Sequence, residues 1–102
     1  MNVDLKQMAT HPRRIGRTAE GEDVFEMVTK GGLVVIEADG KNGRKRTLGL
    51  GPHRALARHV ARQQARGLEL NELSKSEAVG AEYWAHLIPD CMSLLARFNA
   101  GR

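Results

Sequence analysis

Apolar and polar positions in the first half of the chain follow the pattern of short β-strands. Four segments have the length of strands and are separated by glycine-containing turns, and the first of them fits a weak edge strand. The segments are 13–18, 24–29, 33–38 and 45–50. The pairs Asp39-Gly40 and Asn42-Gly43 are typical of tight hairpin turns between antiparallel strands. We therefore expect residues 13–50 to form an antiparallel β-meander of three or four strands.

After this meander the pattern changes to that of a helix over residues 52–66. Pro52 suits a first helical position, and Gly67 suits the left-handed residue that follows a helix. Leu56 and Val60 lie on one narrow apolar stripe, and four arginines spaced by four residues lie on the other side. These are Arg54, Arg58, Arg62 and Arg66. The pattern predicts a helix with one narrow buried face and one open cationic face.

The C-terminal third has a second helical pattern, over residues 75–99. Ser74 and Glu77 have the spacing of a capping box, which predicts a helix start near Lys75. Apolar residues then recur in steps of three and four. Because Pro89 interrupts this pattern, we expect a kink there or two abutting helices.

Together these elements predict a single α+β domain over residues 1–102. The length supports one modest core but not two. Residues 1–12 precede the first strand, and their pattern fits either a short helix or a flexible arm.

Charge is concentrated in the middle of the chain. Residues 41–68 contain half of the 16 lysines and arginines and no acidic residue. Arginine pairs with phosphate oxygens through two parallel hydrogen bonds, and clustered basic residues are typical of nucleic-acid binders. The predicted binding residues are Lys41, Arg44, Lys45, Arg46, Arg54, Arg58, Arg62 and Arg66. The chain has four aromatic residues, which is few for a protein that stacks on the bases of a single strand. We therefore expect the ligand to be the phosphates of a duplex, and DNA rather than RNA.

A smaller candidate site for a single phosphate lies at the start of the arginine helix. Gly51 and His53 flank the first backbone N–H groups of the predicted helix, and Arg54 lies beside them. Free N–H groups at a helix N-terminus bind anions. The glycines here do not complete a dinucleotide-binding fingerprint.

Two other interpretations of the same sequence remain open. In the first, the acids of the flanking segments neutralise the arginines within the fold, although Glu20, Glu22, Asp23 and Glu26 resemble a solvated acidic loop. In the second, the protein is an interaction module, such as a homodimeric adaptor or inhibitor, whose arginine face is solvated or pairs with an acidic protein. Its interface would use the apolar C-terminal stripe. The residues are Trp84, Ile88, Leu95 and Phe98.

Residues that could support catalysis are sparse. The histidines lack the spacing of a helical metal site, and Cys91 lies within an apolar stripe, where cysteine is usually inert. We therefore predict a non-enzymatic protein without a metal or cofactor. A single cysteine allows no internal disulfide, and no apolar run reaches the length of a membrane span, so we expect a cytoplasmic protein that does not bind membranes.

Overall fold

The computed structural model describes residues 11–100, except for the side chains of residues 79–81. The elements in chain order are β1 (Arg13–Arg17), β2 (Asp23–Val28), β3 (Val34–Asp39), β4 (Lys45–Gly51), α1 (Arg54–Gln64), β5 (Glu69–Leu70), α2 (Lys75–Tyr83), a 3₁₀ turn (Ala85–Leu87) and α3 (Ile88–Ala100). The predicted α+β class is confirmed. The prediction for residues 1–12 lies outside the described residues, apart from His11 and Pro12. No helix in the described part is long and apolar enough to cross a membrane.

The sheet is antiparallel and curled, with the strand order β4-β3-β2-β1-β5. The first four strands form the predicted meander, and each pairs with its neighbour in sequence. Gly43, with φ of 71°, occupies the turn of the β3–β4 hairpin, as the Asn42-Gly43 pair predicts. The sequence pattern missed β5, because a strand of two residues has no detectable alternation.

Helix α1 runs back along the edge strand β4. A Cβ atom on Gly49 would lie 2.2 Å from the carbonyl oxygen of Ala57 and 2.8 Å from the backbone nitrogen of Ala61. Only glycine permits this close approach of helix to strand. Because Gly51 lies near the start of α1 and Gly49 one turn further along it, the C-terminal end of α1 points towards the β3–β4 hairpin.

Each face of the sheet is covered by its own apolar cluster. On one face, Val24 and Ile36 pack with Ala57 and Ala61 of α1. On the other face, Met27 and Val35 of the sheet pack with residues of α1 and α3. The helix residues are Leu56, Val60, Cys91, Leu95 and Phe98. Alternation of side chains along each strand produces this division. Helix α1 therefore contacts both clusters, and its buried face is wider than the predicted narrow stripe.

The boundaries of the helices follow local signals in the sequence. The backbone N–H of Ser74 donates to Glu77 Oε1 at 3.1 Å, and that of Glu77 donates to Ser74 Oγ at 3.3 Å, so the predicted capping box is confirmed. The C-terminal helical region divides at the 3₁₀ turn, and Pro89 falls in the first turn of α3, where its missing N–H has no helical partner to lose. Helix α1 begins at Arg54 rather than at Pro52, which precedes the N-cap residue His53.

Candidate nucleic-acid interface

The sequence pattern predicts that the arginine row is open to solvent along its whole length, but in the structure one part of it is buried. The row consists of Arg54, Arg58, Arg62 and Arg66. Arg58 is 1% exposed and is among the most deeply buried side chains described. Its Nη1 donates to the backbone carbonyl of Asn71, and its Nη2 donates to Asn71 Oδ1 at 2.6 Å. Burial lowers the pKa of the Arg58 guanidinium, and the charge of Glu26 opposes that shift. The prediction of an open cationic face is therefore wrong at this position.

Glu26 neutralises the first half of the row. This carboxylate is 6% exposed and lies on β2, on the same face as Val24. Its Oε1 accepts a hydrogen bond from Arg54 Nε at 2.7 Å, and its Oε2 lies 3.6 Å from Arg58 Nε. Arg13 Nη2 lies 3.6 Å from Oε1 on the exposed side. The sequence interpretation of Glu26 as part of a solvated acidic loop is wrong, because its strand position directs it at α1.

Arg54 has a second carboxylate partner on α2. While Nε donates to Glu26, Nη1 donates to Glu77 Oε2, and the arginine side chain is 28% exposed. Hydrogen bonds from the side chain and backbone of Ser74 lower the pKa of Glu77, and Arg54 lowers it further. Neutralisation within the fold, which the sequence left open, thus applies to Arg54 and Arg58.

The second half of the row has the opposite environment. Arg62 and Arg66 are exposed, and neither forms an ion pair with any residue that the structure describes. Arg62 lies in the last turn of α1, and Arg66 lies just beyond the helix. Both side chains are exposed, and Arg62 also borders a groove that Asn71 and Glu72 line.

The other predicted basic segment, at the β3–β4 hairpin, is also exposed. Lys41, Arg44, Lys45 and Arg46 all lie on the surface. Arg46 Nη2 pairs with Glu22 Oε1 at 2.8 Å. Lys41 and Arg44 form no ion pair within the described part of the chain.

The two exposed basic segments border the same turn, the one between β1 and β2. A Cβ atom on Gly67 would lie 3.3 Å from Ala19 Cβ, which places the chain that leaves α1 against this turn. From the other side, Arg46 reaches Glu22 of the same turn. The hairpin and the end of α1 therefore lie at one end of the domain. We call this region the basic end, defined by Lys41, Arg44, Lys45, Arg46, Arg62 and Arg66.

The predicted single-phosphate site has a different environment from the one expected. Gly51 is buried, and the ring of His53 lies 5.2 Å from that of Trp84. The guanidinium of Arg54 is bound by the two carboxylates described above. His53 and Arg54 line one groove together with Glu77, and Gly51 is not part of its lining.

The residues proposed for an apolar interface divide between core and surface. Leu95 and Phe98 are buried against the sheet, whereas Trp84 and Ile88 are half-buried. The exposed large apolar side chains are instead Tyr83, at 72%, and Leu94, at 38%. The C-terminal stripe thus serves first to cover one face of the sheet.

No protein-family model matches the chain, and neither the curated proteins nor the solved structures include a detectable relative. Among the described residues, no group of three histidine, cysteine or acidic side chains is arranged to hold a metal ion.

Proposed function

We propose that the protein is a non-enzymatic, nucleic-acid-binding protein that contacts the phosphate backbone of duplex DNA through the basic end. The proposed binding surface contains fewer residues than the eight that the sequence predicts. Arg54 and Arg58 have carboxylate partners within the fold, and the remaining six residues form the binding surface.

One observation carries the proposal: four exposed basic side chains at one end of the domain form no ion pair within the described chain. They are Lys41, Arg44, Arg62 and Arg66. An external polyanion would pair with these four charges, which no acid within the described chain neutralises. Release of counterions from the phosphates would drive the association.

Duplex nucleic acid fits this surface better than a single strand. Single-strand binders rely on aromatic side chains that stack on bases. The exposed aromatic side chain of the described chain, Tyr83, lies on α2, outside the basic end. Arginine and lysine contacts to phosphate provide affinity without reading bases, so we expect little sequence specificity.

The test is fluorescence anisotropy of a labelled duplex of about 20 base pairs, titrated at several salt concentrations from about 50 to 300 mM. The variant Arg62→Gln/Arg66→Gln removes two contacts from the basic end. The matched control, Lys30→Gln/Lys75→Gln, removes the same charge from two exposed lysines away from the basic end, in the β2–β3 turn and at the start of α2, which form no ion pair within the described chain.

Phosphate contacts from the four side chains without an ion pair predict a slope of log K against log salt of about −3.6. We expect the slope of Arg62→Gln/Arg66→Gln to be shallower by about 2 and that of the control to be close to wild type. Absence of binding by the wild type would refute the proposal. Equal losses in the two variants would show that net charge alone, rather than this surface, determines the affinity.

A further inference from the structure

Helix α2 packs against the start of α1 without a fully buried side chain among those that the structure describes. Helices α1 and α3, in contrast, both have buried side chains. Its contacts to the start of α1 include the ion pair between Glu77 and Arg54, and at its C-terminal end Trp84 packs on His53. A groove of about 370 Å³ remains between α2 and the start of α1, lined in part by these four residues.

The two paired arginines of α1 differ in how firmly their second partner is held. Both contact Glu26 on the sheet. The second partner of Arg58 is Asn71, whose own N–H donates to the carbonyl of Ile15 at 2.8 Å, so Asn71 is fixed to β1. The second partner of Arg54 is Glu77, on α2, which lacks such an anchor in the sheet.

We propose that α2 is a displaceable cover on the arginine row, and that the Glu77 carboxylate occupies the position on Arg54 that a nucleic-acid phosphate takes in the complex. This inference rests on the function proposed above and concerns the regulation of the same surface. Arg54 and Arg62 are two turns apart, about 12 Å along the helix axis. Displacement of α2 extends the binding surface from the basic end towards the start of α1.

The exchange is energetically modest because neither charge is deeply buried. The side chains of Arg54 and Glu77 are 28% and 35% exposed. Ion pairs at such exposure contribute little, since water stabilises both groups after separation. Glu77 also keeps its hydrogen bonds from Ser74 when it leaves Arg54, so α2 remains a capped helix. A backbone phosphodiester offers two non-bridging oxygens for a bidentate pair with the guanidinium, whereas Glu77 gives Arg54 one carboxylate oxygen.

The variant Glu77→Gln tests the cover without breaking the helix. Glutamine at this position of a capping box still accepts the N–H of Ser74, so α2 keeps its start while the charge on Arg54's partner is lost. Glu82→Gln is the matched control, because Glu82 lies on the same helix, is exposed and forms no ion pair within the described chain. Both variants change net charge by the same amount.

The readout is the duplex affinity and its salt dependence, measured beside wild type and Arg62→Gln/Arg66→Gln. We expect Glu77→Gln to bind up to about tenfold more tightly at about 0.1 M salt but with a slope close to that of wild type, because the duplex contacts Arg54 in both complexes and only the cost of displacing Glu77 differs. Glu82→Gln should stay within about twofold of wild type, as expected for a charge distant from the binding surface.

The outcomes separate this inference from the proposed function. If wild type binds through the basic end but Glu77→Gln matches wild type, or Glu82→Gln gains equally, the cover is refuted and the proposed function stands. If only Glu77→Gln binds duplex, the cover is supported, because the protein then binds only when Glu77 no longer holds α2 on Arg54. If no form binds duplex, both proposals fail.

Trp84 provides an independent measurement because it is the only tryptophan in the chain and packs on His53 beside α2. Saturating duplex should shift its emission to longer wavelength and increase its quenching by acrylamide, as α2 separates from α1. Duplex binding with unchanged Trp84 emission and quenching would refute displacement of α2.

Discussion

Replacing Arg58 by methionine should destabilise the fold far more than the same change at Arg62. Arg58 is 1% exposed, so its removal leaves Glu26 Oε2 without its cationic neighbour and both Asn71 oxygens without their donor. Loss of one member of a buried ion pair costs about 3–5 kcal/mol. Glu26 keeps Arg54 at 2.7 Å, so we expect the lower end, about 3 kcal/mol.

Urea denaturation followed by circular dichroism measures this loss directly. A cost of about 3 kcal/mol lowers Tm by at least about 12 °C in a domain of this size. Arg62→Met removes an exposed arginine without an ion pair in the described chain, and should change the free energy of unfolding by less than about 0.5 kcal/mol. Equal stability of the two variants would refute the assignment of Arg58 to the core.

Three further predictions concern the packing and ionisation of single residues. Gly49→Ala should cost at least about 2 kcal/mol, because its Cβ would lie 2.2 Å from the Ala57 carbonyl; a Tm within about 2 °C of wild type would contradict this. Hydrogen bonds from Ser74 lower the pKa of Glu77, so the ionised carboxylate contributes stability above the ordinary glutamate pKa of about 4.3, and the contribution is lost as pH falls through the lowered value. The difference in urea midpoint between wild type and Glu77→Gln should therefore shrink from about pH 6 to about pH 3, and a constant difference would disprove it. Burial raises the pKa of the Cys91 thiol, so we expect slow reaction with a disulfide reagent in the native protein and fast reaction in urea; equal rates would place this thiol on the surface.

Local sequence patterns were sufficient to predict the meander and the start of α2. Strands β2 and β3 alternate side chains between two covered faces, and the Asn42-Gly43 pair determines the hairpin turn. The Ser74–Glu77 spacing located the capping box, because that motif involves only residues within one helical turn. These features depend on neighbours in sequence.

The division of the arginine row depends on contacts between distant segments, which spacing within α1 does not reveal. Arg58 and Arg62 have the same repeat position and similar neighbours in sequence, but one faces Glu26 on β2 and the other faces solvent. One signal was available: Glu26 lies two residues after Val24 on a strand, which places it on the same face as that core residue. An acid at a core position predicts a buried cation on the element packed against it.

The central claim is that the basic end, rather than the whole arginine row or the C-terminal helices, is the surface that meets nucleic acid. Titration of the isotopically labelled protein with a short duplex, followed by amide chemical shifts in NMR spectra, tests it residue by residue. We predict that the largest shifts fall at residues 40–46 and 62–67 and, because α2 is displaced, along residues 75–83. Largest shifts within α3, or no shifts at saturating duplex, would contradict the account.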